Sequence, residues 1–287
     1  MVYLSAFYFP GEDREWTYRK DLRERVDDSI YPFYVLPQKG IDEIYFAPLT
    51  ILYGGNGSGK STVLNVIAEK LNLRRDTHYN RTRHFEPFVS MCKASQDEEI
   101  PLGSRIVTSD DVFDFMLDLR ALNEGVEHKR SELKEEFYSL RENRDGFQLR
   151  SLDDYDQLKK MVEARRRTRS SFVREYGGKT AREHSNGESA ELYFREKIRD
   201  DTLCLLDEPE NSLSPVNQMK LAEYLTESVR YCGVQLIIST HSPFLLAMEG
   251  ARIIDMDHGG KVTEEWWKLE NVRAYYNFFE KNKNRFR

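Results

Sequence analysis

The sequence has few cysteines, no long apolar run and no excess of basic residues. Its three cysteines show neither paired nor metal-ligand spacing, which favours a reducing, cytoplasmic setting over a secreted one. No apolar stretch approaches the roughly 18 residues that a membrane span requires. The first residues form a short apolar run without a basic leader, which predicts an edge strand rather than a signal peptide. We therefore expect a soluble cytoplasmic protein with no membrane partner.

The charge balance argues against a uniformly basic nucleic-acid-binding protein, because the formal net charge is -6. A local basic patch remains compatible with it, and two dense basic runs could follow a phosphate backbone without reading bases. These runs contain Arg74, Arg75, Arg81 and Arg83, and Lys159, Lys160, Arg165, Arg166, Arg167 and Arg169. Acidic residues surround the second run, and a charge run on a helix is more often a solvated face. Non-specific DNA contact is therefore one of two open interpretations.

Short apolar runs alternate with helical periodicity, which predicts an α/β fold with a mixed sheet and flanking helices. Antiparallel strands are expected near the N-terminus in VYLSAFYF, YPFYVL and EIYFAPLTILY, and further strands in SRIVTS, TLCLL and VQLIIST. Helices are expected at 61–71, 188–199 and 215–230, followed by a hairpin at ARIIDMD–GG–KVTEEWW and a C-terminal helix. Residues 72–104 look irregular.

The region from 112 to 175 differs from the rest in being charge-dense, with only a thin apolar stripe. This pattern predicts an inserted helical subdomain made of two helices joined near Asp145–Gly146, too short for a long coiled coil. The α/β domain would then consist of residues 1–111 and 176–287.

A glycine-rich segment, ILYGGNGSGKST, matches G-x-x-x-x-G-K-[ST] between a predicted strand and a predicted amphipathic helix. Successive N–H groups at such a helix start cradle phosphates, Lys60 would contact the β- and γ-phosphates, and Ser61 would ligate Mg²⁺. A glycine turn that binds nothing is the alternative, and the flanking strand and helix weigh against it. The predicted nucleotide-binding residues are Gly54, Gly55, Asn56, Gly57, Ser58, Gly59, Lys60, Ser61 and Thr62.

Two adjacent carboxylates, Asp207 and Glu208, leave the end of the apolar run LCLL. Their mutual repulsion and burial are costly unless a positive charge lies close by. We expect this strand to lie beside the phosphate-loop strand in a parallel sheet, where ligands gather at the carboxyl ends. Asp207 would then hold the metal, through water, and Glu208 would act as general base on the attacking water.

Two further motifs have both a structural and a functional interpretation. In REHSNGESAEL, Ser185, Gly187 and Glu188 precede or begin a helix and could simply cap it. In LIISTHSP, His241 could be an ordinary strand-end histidine. The order phosphate loop, S-x-G-E, D-E-P and T-H-S nevertheless resembles ABC-type ATPases. Over most of the chain the sequence is similar to short, stand-alone bacterial ATPases of the AAA family, related to the RecF and structural-maintenance-of-chromosomes branch.

This resemblance implies a homodimer that sandwiches two molecules of ATP with Mg²⁺. Each phosphate loop would face the Ser185–Gly187 signature of the other subunit, with Asn211–Pro215 as the crossing loop and His241 as the switch histidine. Glu208, His241 and Lys60 would be catalytic. The chain departs from the family in lacking an evident glutamine after the strand SRIVTS, where Ser109 and Asp110 stand and Gln96 lies upstream. The adenine-stacking aromatic is either Tyr31 or Phe33.

Three functions fit these motifs. One is a nucleotide-switched ATPase acting on DNA or within a defence or repair complex. Another is a regulatory module whose ATP state holds or releases a partner effector, such as a nuclease or toxin. A transporter motor subunit is disfavoured, because the S-x-G-E and E-N-S-L-S-P forms and the helical insert resemble the branch without membrane partners.

Overall fold

The chain forms two compact units in the computed structural model. One unit combines Met1–Phe113 with Asn186–Arg287, and the other is Asp114–Ser185. The structure describes residues 1–22, 29–77, 79, 81–142, 159, 160, 162, 164, 166, 168, 173, 186–211, 213–263 and 265–286. Within these ranges, no helix combines the length and the apolar character that crossing a membrane would need. The insert boundaries at 112 and 175 stay a prediction.

The first unit contains two sheets and the helices around them. Its strands are β1 (Leu4–Tyr8), β2 (Glu43–Tyr45), β3 (Leu49–Tyr53), β4 (Lys93–Gln96), β5 (Arg105–Thr108), β6 (Leu203–Asp207), β7 (Gln235–Ser239), β8 (Arg252–Asp255) and β9 (Lys261–Thr263). The helices are α1 (Glu12–Asp21), α2 (Lys60–Lys70), α3 (Phe85–Met91), α4 (Ser109–Glu142, which continues into the second unit), α5 (Asn186–Lys197), α6 (Pro215–Tyr231), α7 (Pro243–Leu246) and α8 (Glu270–Lys281).

The larger sheet has the order β5-β6-β7-β3-β8-β9, and all neighbours are parallel except β8 and β9. Every residue of β3 and β7 is buried, as expected for strands covered on both faces. Leu52 faces a core that includes Val63, Leu64 and Ile67 of α2, while Ile51 packs in a separate cluster on the opposite side. The predicted α/β fold with a mixed sheet and flanking helices is confirmed, and the sheet is mostly parallel.

The smaller sheet is antiparallel, with the order β2-β1-β4, which confirms the expected N-terminal antiparallel strands. The run EIYFAPLTILY does not form one strand, because Pro48 interrupts it and its halves join different sheets. The Gln235 side chain of β7 links the sheets: its Oε1 accepts the N–H groups of Tyr3 and Leu4 at 2.8 and 2.9 Å.

Some elements differ from the sequence expectation. YPFYVL forms turns rather than a strand, because Pro32 has no N–H to donate and Tyr34 has a φ of 63°. Its apolar residues are nevertheless used, since Phe33 and Leu36 are buried in the core. Residues 72–104, expected to be irregular, contain α3 and β4.

The second unit contains a small apolar core. Leu133, Phe137, Ala164 and Val173 are buried together, with Leu140 packed against them. Helix α4 covers the first predicted helix of the insert. The predicted junction at Asp145–Gly146 lies outside the described residues.

Candidate functional site

The loop between β3 and α2 has a backbone that requires glycine at several positions. Gly54, Gly57 and Gly59 have φ values of 154°, 76° and 95°, a region that side chains rarely adopt. A Cβ atom at Gly54 would stand 2.7 Å from the Ser58 Oγ. The loop therefore delivers the chain into the N-terminus of α2, whose first N–H groups have no partner within the helix.

Lys60, the first residue of α2, places its ammonium group inside this loop. The side chain is nearly buried, with only 4% of the residue exposed. Its Nζ donates to the Gly54 and Gly55 carbonyls at 2.8 and 3.1 Å and lies 3.0 Å from the His241 Nε2. Burial lowers the pKa of Lys60, and the nearby carboxylates of Glu208 and Asp207 oppose that shift.

Asp207 lies at the carboxyl end of β6, next to the start of α2. Its Oδ1 accepts a hydrogen bond from the Ser61 Oγ at 3.0 Å and another from the Ser239 hydroxyl. Burial raises the pKa of Asp207, and these two hydroxyl groups oppose the shift. The expectation that β6 neighbours β3 is wrong, because β7 lies between them. The contact is made instead by α2, which packs against both β6 and β7.

This donor set fits a magnesium ion. A serine hydroxyl and a carboxylate are hard oxygen ligands, and Mg²⁺ is usually held by one or two carboxylates with phosphate oxygens and water. Among the described residues, no group of three or more His, Cys, Asp or Glu side chains could hold a metal alone. A metal at this position would therefore share Ser61 and Asp207 with a phosphate ligand.

Glu208 follows directly in a left-handed backbone conformation with a φ of 47°, and its N–H donates to the Ser239 carbonyl at 3.0 Å. Its Oε1 lies 3.3 Å from the His241 Nε2, and Asn211 donates to its Oε2 at 2.9 Å. The hydrogen bond with His241 is the main cause that lowers the pKa of Glu208 to about 2. The structure thus brings Glu208, His241 and Lys60 together.

The His241 Nε2 cannot serve both neighbours at once. It accepts a hydrogen bond from the Lys60 ammonium group only when Nε2 carries no hydrogen, and it donates one to Glu208 only when Nε2 carries a hydrogen. The hydrogen bonds of the three groups are therefore coupled, and a ligand that binds one of them would change the hydrogen bonds of the other two.

Two carboxylates that sequence analysis missed hold the loops of the site. The Asp257 Oδ2 accepts the Gly55 N–H at 2.5 Å, and Lys39 donates to its other oxygen at 3.3 Å. Glu210 is 7% exposed and accepts from Thr240 and from the N–H groups of the following two residues. Glu210 is the third acidic residue of DEPEN, so the sequence contains a local indication that it belongs to the site. Asp257 is too distant in sequence for any local pattern to indicate it.

The predicted signature is only partly described. Ser185 lies outside the described residues, and Gly187 and Glu188 lie in the first turn of α5. A helix therefore begins where the motif predicted one. Their assignment to the nucleotide stays a prediction.

The two candidate adenine-stacking residues have different surroundings. Phe33 is buried and stacks on Tyr18 with ring centroids 4.4 Å apart and an interplanar angle of 2°. Phe88 meets the Phe33 ring edge-on at 5.0 Å. Tyr31 is half-buried and donates its hydroxyl to the Thr62 Oγ1 at 3.2 Å. The Tyr31 ring also contacts another aromatic ring, that of Phe85, with centroids 6.1 Å apart, so both residues stay candidates.

The glutamine that the family resemblance implies is expected at the end of β5. Thr108 pairs with Asp207 across the sheet, and Ser109 begins α4 directly after it. Gln96 instead ends β4 in the smaller sheet. Ser109 is therefore at the carboxyl edge of the larger sheet, and Gln96 is not.

The basic runs are partly neutralised by neighbours. The Arg75 guanidinium lies 4.0 Å from the Tyr79 ring and donates to the Asn65 Oδ1 at 2.5 Å. Arg81 forms ion pairs with Glu69 and Glu86 at 3.2 and 3.6 Å. In the second run Lys160 pairs with Glu136 at 3.1 Å. Arg165, Arg167 and Arg169 lie outside the described residues.

A buried strand, a glycine loop and a helix that begins with Lys60 and Ser61 define a phosphate-loop nucleotide-binding fold. Residues 184–246 match the family described as AAA ATPase domain, a segment that contains Asp207, Glu208 and His241. This segment of the chain is similar to that family, and the phosphate loop lies outside the matched residues.

Solved structures of ATP-binding cassettes are among those to which the chain is similar. One is the ADP conformation of a cassette of an ABC transporter, with 13% identity, a TM-score of 0.41 and coverage of 96% of this chain and 99% of that one. Another is a dimeric cassette in a post-hydrolysis state bound to ADP and Pi, with 11% identity, a TM-score of 0.36 and coverage of 78% and 90%. At these values neither carries an argument about activity. The comparison with curated proteins gives no match.

Proposed function

We propose that this protein binds Mg·ATP and hydrolyses it to ADP and phosphate. The observation that carries the proposal is the hydrogen bond between Ser61 and Asp207 beside the nearly buried ammonium group of Lys60. A cation, a serine hydroxyl and a buried carboxylate lie at the loop whose N–H groups would bind phosphate. Few other ligands need all three.

Binding of a triphosphate would use groups that are already in place. The N–H groups at the start of α2 and the Lys60 ammonium would neutralise the β- and γ-phosphates. Lys60 would exchange its bonds to the Gly54 and Gly55 carbonyls for phosphate oxygens. Ser61 and Asp207 would hold Mg²⁺, which supplies charge stabilisation for the phosphoryl group.

Hydrolysis would need Glu208 to accept a proton from water. A carboxylate whose pKa is about 2 is a weak base while it pairs with His241. A γ-phosphate that drew His241 and Lys60 toward itself would release Glu208 and raise its pKa. In this scheme ATP itself prepares the base, and turnover is slow without full closure of the site.

We further propose that ATP drives homodimer formation and that hydrolysis reverses it, with the Ser185–Gly187 signature acting on the nucleotide of the other subunit. Support comes from the order of the motifs and from the helix start at Asn186. Such a switch would act on DNA or within a defence or repair complex. The weak base in the absence of nucleotide also favours the second candidate, a slow regulatory module that controls a partner nuclease or toxin.

The test compares purified wild-type protein with Lys60→Ala and Glu208→Gln. Lys60→Ala should lose both ATP binding and turnover, whereas Glu208→Gln should keep ATP binding and lose about 10²–10⁴-fold in turnover. Lys220→Ala, which removes an exposed lysine from α6, should behave as wild type. Undiminished phosphate release by Lys60→Ala would contradict the assignment. Wild-type turnover that persists in EDTA would contradict the magnesium site.

A further inference from the structure

The backbone of His241 is bound on both of its sides by side chains that have no assigned function. On one side, the Glu210 Oε1 accepts the His241 N–H at 2.8 Å and the Ser242 N–H at 3.2 Å. The Thr240 hydroxyl donates to the same oxygen. Three donors from consecutive residues thus converge on one buried carboxylate oxygen.

On the other side, the Asn271 Nδ2 donates to the His241 carbonyl at 2.6 Å. Asn271 lies in the first turn of α8, and its own N–H donates to the Tyr53 hydroxyl at 3.3 Å. Its neighbours Leu269 and Val272 are buried against β3 and β8. The donor is therefore carried by a well-packed helix start.

The location of Glu210 connects the hydrogen bonds of the His241 backbone to the side chain of Glu208. It lies two residues after Glu208 in the same turn, so one short segment carries both carboxylates. Glu208 contacts the imidazole of His241, and Glu210 binds its backbone. The loop after β6 and the loop after β7 are thereby fixed relative to each other.

Burying the Glu210 carboxylate costs free energy unless its hydrogen bonds offset that cost. Its second oxygen, Oε2, is buried and has no hydrogen-bond partner among the residues that the structure describes. An apolar side chain at this position would leave the N–H groups of His241 and Ser242 and the Thr240 hydroxyl without this acceptor. We therefore expect the buried carboxylate to hold the loop after β7 in place.

We propose that Glu210 and Asn271 are positioning residues that hold the His241 backbone, and through it the imidazole, against Glu208 and Lys60. The inference rests on the proposed ATPase function and deepens it. Neither residue needs to touch nucleotide. Without them the imidazole moves relative to the phosphate site, and small displacements of a catalytic group can cost on the order of 100-fold in rate.

The experiment measures turnover in Glu210→Ala, Glu210→Gln and Asn271→Ala. Glu210→Ala removes the acceptor, and we expect kcat to fall roughly 10–100-fold with little change in KM. Glu210→Gln keeps an oxygen that can accept the same three donors, so it should restore kcat to within about threefold of wild type. Asn271→Ala should lower kcat by a smaller factor. Asn282→Ala, which removes a similar side chain to carbonyl bond at the far end of α8, should have no effect.

A double-mutant cycle distinguishes positioning from general damage. If Glu210 acts through His241, then Glu210→Ala should not lower the single-turnover rate any further in a His241→Ala background. Equal losses in both backgrounds, or an unchanged kcat in Glu210→Ala, would overturn the proposal. Should Glu210→Ala fail to fold by near-UV circular dichroism, Asn271→Ala is put through the same cycle and decides the question.

Failure of the proposed ATPase function can be told apart from failure of the positioning role, because wild-type protein would then show no turnover. The imidazole NMR signals of His241, assigned with His241→Ala, need no ATP. They should shift in Glu210→Ala and Asn271→Ala and stay unchanged in Asn282→Ala. Unshifted signals in both variants would overturn the positioning role even in an inactive protein.

Discussion

Burial and hydrogen bonding give the carboxylates of this protein opposite tendencies to ionise. Burial raises the pKa values of Glu15, Asp207 and Glu210. Glu208 differs because His241 and Asn211 bind its ionised form and lower its pKa to about 2. The pKa values of Asp207 and Glu208, adjacent residues in the chain, are therefore shifted in opposite directions by their surroundings.

Glu15 offers a test of this effect away from the site. It is fully buried in α1, its Oε2 accepts the Tyr34 N–H at 2.6 Å, and burial raises its pKa to about 7. Since the folded pKa lies above the unfolded value, the folded protein binds the extra proton between about pH 4.5 and pH 7. Stability should therefore fall as the pH rises through this window. Glu15→Gln keeps an acceptor and should remove the loss, which is on the order of 3 kcal/mol across the whole window.

Urea unfolding at pH 5 and pH 8 measures the difference. The control is Glu223→Gln, which changes an exposed glutamate of α6 and should leave the pH dependence as in wild type. If wild type and Glu15→Gln lose the same stability between the two pH values, Glu15 is not the group responsible.

At this scale the sequence predicted the residues whose chemistry follows from a local pattern. Lys60 and Ser61 follow from the glycine spacing, and Asp207 and Glu208 follow from their place at the end of an apolar run. Asp257 and Asn271 were not predictable, because each binds a backbone group of a segment distant in the chain. Only packing of β8 and α8 against β3 brings them there.

Among the elements, the phosphate loop depends most on backbone geometry. Gly54 has a φ of 154°, and a Cβ there would lie 2.7 Å from the Ser58 Oγ and 3.2 Å from the Met256 Cβ. We expect Gly54→Ala to displace the loop and lower ATP affinity at least tenfold, while far-UV circular dichroism stays unchanged. Gly125→Ala in α4 meets no atom within 4 Å and should keep wild-type affinity. Unchanged nucleotide binding in Gly54→Ala would mean that the loop adapts.

Elements with clear periodicity were predicted correctly, and those that depend on tertiary contacts were not. The apolar stripe of Val63, Leu64 and Ile67 predicted α2 because one helix face contacts one core. YPFYVL has strand-like composition, but it forms turns, and it is from these turns that its apolar side chains enter the core. Strand order was also beyond a local pattern, since β7 lies between β3 and β6 in the sheet.

At the scale of the whole molecule, the proposed dimer divides each nucleotide site between two chains. The phosphate loop, Asp207 and His241 lie in one chain and would bind the nucleotide on one side. The signature at Ser185–Gly187 would come from the other chain, with the N-terminus of α5 as an anion site. A site divided in this way predicts that two inactive variants can complement each other, which a site within one chain could not do.

Ser185→Arg and Lys60→Ala should each be inactive, but for different reasons. Ser185→Arg should still bind ATP and fail to close the dimer, because a long cation would enter a gap sized for a hydroxyl and backbone N–H groups around phosphate. Lys60→Ala should fail to bind ATP. In a mixed dimer, one site contains both changes, and the other contains neither.

Mixing the two inactive proteins should therefore restore part of the ATPase activity, provided that one intact site can turn over alone. The safer measurement is ATP-dependent heterodimer formation, followed by light scattering or by pull-down of a tagged chain, since it does not require the two sites to act independently. Neither protein should self-associate with ATP when kept separate. If Ser185→Arg dimerises and hydrolyses ATP normally by itself, SNGES only caps α5, and the nucleotide is bound without a contribution from the second chain.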